Sequence, residues 1–204
     1  MTLQHSHAPL AQRPMAKALL LSLSLAAFPA VAADYLVRDA AAYATAVRAL
    51  APGDTVILAD GVWRDVDLLF RGSGKIGQPI KLTAQTPGKV ILSGQSQLRL
   101  AGSYLEVSNL VFRDGWAPGS EVVSFRASSK EWATHSRVTG VVIDGYNKPD
   151  RQQSDNWVGM YGQHNRFDHN QLVGKTNAGS TLVVVRNATS GLDNRHRIDH
   201  NWFG

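Results

Sequence analysis

The chain has 204 residues, of which 44% are hydrophobic, 18% are charged and none is cysteine. This length suits one domain or part of one, and the composition excludes a disordered chain, a collagen and a disulfide-stabilised scaffold. The absence of cysteine also excludes thiol chemistry and any zinc site built from cysteine. A metal would therefore need His, carboxylate or amide ligands, a set that suits calcium or magnesium.

The first 33 residues are predicted to form a secretory signal peptide. Lys17 precedes an apolar run over 18–28, and Pro29 and small residues up to Ala33 follow it. The run is shorter than the ~20 residues needed to span a bilayer, which favours a cleaved signal over a membrane anchor. We expect a secreted or periplasmic protein with no membrane anchor after signal cleavage, and Met15 is an alternative start.

The charge balance favours an acidic partner. Cleavage would remove Arg13 and Lys17 and leave 19 basic residues against 16 acidic ones, a net charge of +3. This mild excess suits an acidic polymer such as a polyuronate. It is too small and too scattered for nucleic acid, which needs a clustered basic stripe. Export also makes intracellular nucleic acid an unsuitable partner.

The pattern over 39–50 predicts the only helix. Asp39 is a candidate N-cap, and Tyr43, Val47 and Leu50 recur at i, i+4 and i+7 on one face. Short β-type runs separated by Gly, Asn, Asp and Pro follow the helix and predict strands. The first of these runs are 55–58, 80–83, 90–92 and 104–107.

A repeat of about 30 residues, within the range typical of solenoids, organises the later part of the chain. Four segments align without gaps: 107–112, 138–143, 167–172 and 198–203. A second set of runs falls between them, at 122–125, 157–160 and 182–185. Repeats of short strands predict an all-β, single-stranded parallel β-helix. An antiparallel sandwich or jelly roll would show hairpin turns and would lack this self-similarity.

Stacked coils predict two ladders of equivalent side chains and one cap. An inward apolar ladder would consist of Phe112, Ile143, Leu172 and Phe203. Asn170 would stack on Asn201, with side-chain amides that hydrogen-bond along the stack. The helix over 39–50 would cover the N-terminal end of the apolar interior, because the terminal units of a solenoid need a cap.

A series of short motifs gives the chain a family resemblance. The motifs are PGD at 52–54, DGVW at 60–63, QPI at 78–80, TPGKV at 86–90, SGQS at 93–96, GKTN at 174–177 and HRIDHNWFG at 196–204. In this order, behind a signal peptide and over nearly all of residues 35–204, they resemble the alginate lyase and chondroitinase B family of polysaccharide lyases.

The resemblance implies a right-handed, pectin-lyase-like β-helix that cleaves alginate by β-elimination, with chondroitin or dermatan sulfate as less favoured substrates. In the family, a Lys acts as base and an Arg assists, while an Asn and two Glu hold a calcium ion that offsets the uronate carboxylate. The resemblance places these residues downstream of Gly204, so it implies no catalytic residue and no metal ligand in this chain. The chain would then be an inactive N-terminal fragment, with residues 34–204 as a truncated β-helix.

Four residues are candidate substrate ligands: Lys175, Arg186, Arg126 and His196. Lys175 follows a strand in a polar turn, where it could reach a uronate carboxylate or be a solvated loop lysine. Arg126 and Arg186 lie at the ends of matching strands and could line one groove, although a solvated arginine is the commoner case. His196 could face the substrate.

Two histidines and two aspartates repeat once per coil. His169 and His200, with Asp168 and Asp199, would allow a metal site or an acid–base dyad, but their regular spacing favours stacked ladders. Aromatic residues in predicted loops, such as Trp132 and Tyr146, could stack on sugar rings or on their neighbours.

Two other classes of protein stay open at this point. A non-catalytic β-helix could bind acidic glycans or act as a surface module. A pectate lyase or polygalacturonase on the same scaffold would need two or three aspartates on one face, whereas the aspartates here lie singly or in ladder positions.

Overall fold

The computed structural model describes residues 1–2, 32–186 and 193–204, so the predicted signal peptide falls almost wholly outside the described residues. The elements, in chain order, are β1 (Asp34–Val37), α1 (Ala40–Ala46), β2 (Thr55–Leu58), β3 (Gly61–Arg64), β4 (Asp67–Ser73), β5 (Ile80–Ala84), β6 (Val90–Gly94), β7 (Gln97–Ser103), β8 (Leu105–Ser108), β9 (Val111–Gly115), β10 (Glu121–Ser124), β11 (Arg126–Ser128), β12 (Glu131–Thr134), β13 (Arg137–Thr139), β14 (Val142–Asp144), β15 (Asn156–Met160), β16 (Arg166–Asp168), β17 (Gln171–Val173), β18 (Leu182–Val184), β19 (Arg197–Asp199) and β20 (Trp202–Phe203).

The strands form three parallel sheets along a right-handed β-helix of about five turns. The first sheet contains β1, β2, β5, β8, β13, β16 and β19, and the second contains β3, β6, β9, β14, β17 and β20. The third contains β4, β7, β10, β15 and β18, and the β11–β12 hairpin joins it. Within the described ranges this hairpin is the only antiparallel pair of strands. The predicted parallel β-helix is therefore confirmed and a sandwich is excluded.

The strand register confirms both predicted ladders. Phe112, Ile143, Leu172 and Phe203 are direct neighbours in the second sheet. The Asn170 amide donates to Oδ1 of Asn201 at 3.0 Å, and its own Oδ1 accepts from the Val141 amide at 2.8 Å. Side chains thus hold successive coils together at a corner where the backbone leaves one sheet for the next.

The four aligned repeat segments are corners and not single strands. β8 ends at Ser108 and β9 begins at Val111, and the same break recurs in the next three coils. The residue at each break has a positive φ angle: Asn109 (65°), Gly140 (63°), His169 (56°) and His200 (57°). A left-handed residue turns the chain and interrupts strand pairing. The repeat marked the period correctly, but apolar residues on both sides of the corner hid the break.

The N-terminal helix begins as predicted and ends earlier than predicted. The Asp39 side chain caps its first turn, and α1 ends at Ala46 and not at Leu50. Tyr43 is buried, and Val47 and Leu50 pack against the core from beyond the helix end. The helix contacts β1 and β2 and so covers the start of the core. No helix among the described residues is long and apolar enough to cross a membrane.

Candidate functional site

The outer face of the third sheet carries one arginine on each of three successive coils. Arg71 belongs to β4, Arg99 to β7 and Arg126 to β11, which directly follows β10. Because successive residues of a strand point to opposite faces, the fully buried Leu98 and Leu100 place Arg99 on the outside. The three arginines thus form a row along this face.

Each of these arginines has an acidic partner. Arg71 Nη2 lies 2.6 Å from Glu131 Oε2. Arg99 forms a bidentate ion pair with Asp67, in which Nε lies 3.0 Å from Oδ1. Arg126 Nη2 is more loosely placed, at 3.7 Å from Glu121 Oε1. Arg126 therefore has the guanidinium least committed to an internal partner.

A cavity of about 310 Å³ opens beside Arg126, and its lining includes Gln97, Arg99, Glu121, Ser124 and Arg126. The Glu121 carboxylate is nearly buried and accepts a 2.6 Å hydrogen bond from the Tyr161 hydroxyl. The Arg126 guanidinium lies 3.9 Å above the centre of the Tyr161 ring. Coil stacking thus gathers a cation, a phenol and a carboxylate at one end of the cavity.

The electrostatics of this cluster suit binding more than proton transfer. Burial, followed by the hydrogen bond and charge of Glu121, raises the pKa of Tyr161 to about 12. The phenol therefore stays protonated at neutral pH and donates to Glu121. The partly exposed guanidiniums of Arg99 and Arg126 can offer charge-assisted hydrogen bonds to a carboxylate. We take this cavity as the candidate binding site.

Lys175 lies in a different, more buried environment. Its Nζ is 2.9 Å from Asp155 Oδ1 and 3.0 Å from Asn177 Oδ1, and its side chain is only 9% exposed. The indole of Trp157 lies 5.5 Å from the ammonium. This arrangement suits an internal ion pair, and a role for Lys175 in substrate binding stays a prediction.

Arg126 and Arg186 do not occupy the same position in their coils. Met160 pairs with Val184, so the register of β15 with β18 aligns Tyr161 with Val185 and places Arg186 one residue further on. Arg126 stacks on Tyr161, whereas Arg186 is exposed beyond the end of β18. The structure brings Arg126 to the cavity and gives Arg186 no contact with it.

His196 belongs to a polar ladder inside a corner. Its Nδ1 accepts a 3.2 Å hydrogen bond from the backbone N–H of Asn165. The side-chain Oδ1 of Asn165 in turn accepts a hydrogen bond from the backbone N–H of Ser136 at 2.9 Å. Burial, followed by the proximity of His164, lowers the pKa of His196. His196 is thus a neutral ladder residue at physiological pH, and its contact with substrate stays a prediction.

His169 and His200 form the stacked ladder that their spacing predicts. Their rings are parallel within 1°, with centroids 4.8 Å apart. Each Nδ1 lies beside the aspartate that precedes it, at 2.7 Å in Asp168 and 2.8 Å in Asp199. Both aspartates also pair with arginines on the outside of the first sheet. Arg137 donates two hydrogen bonds to Asp168, and Arg166 donates two to Asp199.

The two aromatic candidates have different surroundings: Tyr146 lies in a loop, as predicted, between β14 and β15, whereas Trp132 lies in a strand and not in a loop. Tyr146 is fully buried, and its hydroxyl bonds the backbone of Gly94 and Ser96. Trp132 belongs to strand β12 of the hairpin and lines a surface cavity. Of these two residues, Trp132 is therefore placed to meet a ligand and Tyr146 is not.

Sequence reasoning found Arg126 but missed Arg99, Glu121 and Tyr161. The alternation of Leu98, Arg99 and Leu100 marks an outward arginine on a strand, and this signal was readable. Glu121 and Tyr161 gave no such signal, because they are 40 residues apart and meet only through the register of β10 with β15.

The described residues do not fit the calcium ion that the resemblance implies. Among them no three His, Asp or Glu side chains converge on one point. Each buried carboxylate has a partner for at least one oxygen: Asp54 accepts from backbone N–H groups, Glu121 from Tyr161, Asp155 from Lys175 and Asp168 from Arg137.

The fold is that of a parallel β-helix, and its third sheet carries a row of arginines on the outer face. A model of the chondroitinase B family matches residues 37–204. The chain belongs to the chondroitinase B family. A comparison with curated protein sequences gives no match.

Three solved structures illustrate the similarity. The PL6 family alginate lyase AlyGC is 53% identical, with a TM-score of 0.81 over 82% of this chain and 23% of its own. A mannuronic acid specific polysaccharide family 6 lyase from human gut microbiota is 35% identical, with a TM-score of 0.79 over 84% of this chain and 40% of its own. A PL6 family polysaccharide lyase from Pseudopedobacter saltans is 25% identical, with a TM-score of 0.65 over 82% and 41%. The chain thus spans 23% to 41% of the length of these structures.

Proposed function

We propose that this chain is part of an exported polysaccharide lyase that cleaves alginate by β-elimination. The observation that carries the proposal is the 53% identity to an alginate lyase over 82% of the chain. The 35% identity to a mannuronic acid specific lyase supports the same class of substrate. The name of the family model keeps chondroitin as the second choice of acidic polysaccharide.

β-Elimination sets clear chemical demands on the protein. A base removes the C5 proton of a uronate, the C4–O bond breaks, a C4–C5 double bond forms, and the leaving oxygen takes up a proton. The C5 proton becomes acidic only when the charge of the neighbouring carboxylate is offset, so cationic groups must face that carboxylate. A site for this reaction therefore needs both a free base and a bound, neutralised uronate.

We assign the binding part of this work to Arg126 and its cavity. The Arg126 guanidinium lies over the Tyr161 ring and is only loosely paired with Glu121. Its N–H groups can therefore donate hydrogen bonds to a uronate carboxylate. Tyr161 is unsuited as the base because its pKa is raised to about 12. We therefore expect residues 1–204 alone to bind alginate without cleaving it, as the family resemblance also implies.

Export fits the proposed substrate. Alginate is a large polymer, and an exported lyase would meet it before it is taken up by a cell. The signal-like segment over 15–33 provides a route for export. We propose a secreted or periplasmic location on these two grounds.

The test is an elimination assay on the full product of the gene, alongside residues 34–204 alone. The substrates are polymannuronate, polyguluronate, dermatan sulfate and chondroitin sulfate, and the readout is the ultraviolet absorbance of the new C4–C5 double bond. Absorbance from the alginate polymers with the full product supports the proposal. Absorbance from the sulfated polymers only would overturn the proposal that alginate is the substrate. Cleavage by residues 34–204 alone would overturn the proposal that this region binds the substrate without cleaving it. A folded full product that binds alginate and never cleaves it would favour the non-catalytic β-helix.

A further inference from the structure

A second cavity, of about 410 Å³, lies on the outer face of the third sheet. It opens between the ends of β4 and β7 and the tip of the β11–β12 hairpin. Its lining residues are Arg71, Gly72, Ser73, Ala101, Gly102, Lys130, Glu131 and Trp132. We call it the hairpin shelf. It shares no lining residue with the cavity of Arg126.

The floor of the hairpin shelf is bare backbone. Gly102 has a φ of 113°, and a Cβ there would clash with the carbonyl oxygen of Gly72 in the coil beside it. Only glycine fits, so no side chain rises from that point of the floor. The shelf is consequently flat and open, which suits the face of a sugar ring better than a compact ion.

The sides of the shelf combine one aromatic ring with an excess of positive charge. Trp132 supplies a large apolar surface whose face can pack against a pyranose ring. Arg71 pairs with Glu131, and Lys130 also lines the shelf, which leaves one positive charge in excess. Arg71 and Glu131 are about half exposed, with side-chain exposures of 49% and 48%. Exposed pairs of this kind contribute little, so a ligand carboxylate can compete for Arg71.

We propose that the hairpin shelf binds a uronate unit of an acidic polysaccharide, apart from the unit held at Arg126. The sugar face packs on Trp132, and its carboxylate bonds to Arg71 and Lys130. Arg71 and Arg126 are two coils apart on one face, with Arg99 between them, so one polymer that follows the solenoid axis can reach both sites. The class of ligand rests on the proposed function, whereas the shelf itself rests on its own residues.

The experiment measures binding and not cleavage, so that it can fail independently of the lyase assignment. The protein is titrated calorimetrically with oligomannuronates and oligoguluronates long enough to span several coils. Neutral cello-oligosaccharides serve as the uncharged probe. The variants are Trp132→Ala, Lys130→Ala and Glu131→Gln. Lys89→Ala, an exposed lysine in a turn outside the shelf, matches the charge change of Lys130→Ala.

We expect substitutions at the adjacent residues 130, 131 and 132 to change the affinity for oligouronates in opposite directions. Trp132→Ala and Lys130→Ala should each weaken oligouronate binding about tenfold, which is the scale of one good contact. Glu131→Gln should tighten binding several-fold, because it removes the competing carboxylate and the only negative charge. Lys89→Ala should leave affinity unchanged, and cello-oligosaccharides should bind far more weakly than oligouronates.

Three results would overturn the proposal. The first is equal affinity in all four variants, and the second is no binding of oligouronates to the folded protein. The third is weaker binding in Glu131→Gln. Circular dichroism melts of each variant verify that the protein is folded. A positive elimination assay beside the first or third result would leave the lyase assignment intact and remove only the shelf, whereas the absence of any oligouronate binding would also remove the binding role proposed for Arg126.

Discussion

The hydroxyl of Tyr161 donates a 2.6 Å hydrogen bond to Glu121, which lies one coil away and 40 residues earlier in the chain. The side chain of Glu121 is only 9% exposed, and the Arg126 guanidinium lies over the face of the Tyr161 ring. A buried carboxylate without a partner is costly, so the phenol stabilises Glu121 while Glu121 orients the phenol. The candidate binding cavity is thus fixed by an interaction between coils.

Tyr161→Phe should destabilise the protein because it removes the donor and leaves the ring. The remaining partners of Glu121 are distant, at 3.5 Å for Ser124 and 3.7 Å for Arg126. We expect a loss of about 1–3 kcal/mol in the free energy of unfolding, the typical cost of a buried group left unpaired. Chemical denaturation measures it. Tyr35→Phe, at an exposed tyrosine, is the matched control, and an equal effect in both variants would contradict this role.

Asn170→Ala should weaken the contact between three coils. The Asn170 amide bonds the Val141 N–H, the Val138 carbonyl and Asn201. Its loss leaves buried backbone groups unpaired, at a cost of about 1–3 kcal/mol for each. Gln95→Ala, at an exposed amide, should change stability by less than about 0.5 kcal/mol. Thermal melts that match for the two variants would show that the asparagine ladder does not support the fold.

Gly102→Ala should separate steric clash from backbone strain. Gly77 also has a positive φ, of 75°, but a Cβ there meets nothing within 4 Å. Gly77→Ala should therefore cost about 1–2 kcal/mol for the left-handed conformation alone. Gly102→Ala adds the clash with Gly72, about 1–3 kcal/mol more. Denaturation curves that rank the two variants in the reverse order would contradict the packing of β7 against β4.

The aspartate ladder should make stability fall in acid. Burial opposes ionisation of Asp168, but hydrogen bonds from Arg137 and His169 outweigh it and lower its pKa. Hydrogen bonds from Arg166 likewise lower the pKa of Asp199. Since the unfolded state binds protons more readily, this stabilisation is complete above about pH 4 and is lost as the pH falls further.

Asp168→Asn tests that dependence directly. The variant cannot take up the proton, so its free energy of unfolding should vary less steeply with pH than the wild type between about pH 2 and pH 4. Urea titrations at several pH values give the slope. Asp34→Asn, at an exposed carboxylate, should keep the slope of the wild type. A slope unchanged by Asp168→Asn would mean that the arginine ladder does not hold that carboxylate ionised.

The period, the class of fold and the stacking positions were predictable from the sequence, because equivalent positions of successive coils carry similar residues. Phe112 over Ile143 and Asn170 over Asn201 are examples. The corners were not predictable in detail, since histidine at 169 and 200 gives no sign of its left-handed backbone. Individual side-chain contacts, such as that of Lys175 with Asp155, depend on how side chains of different coils pack together. The order of residues along the chain does not show this packing.

We propose that the protein cleaves alginate by elimination and not by hydrolysis. Mass spectrometry of the oligosaccharides released from alginate by the full product of the gene tests this proposal most directly. Elimination predicts oligouronates with an unsaturated non-reducing end, each lighter by one water than the product of hydrolysis. Saturated oligouronates, or an intact polymer after prolonged incubation with folded protein, would contradict it.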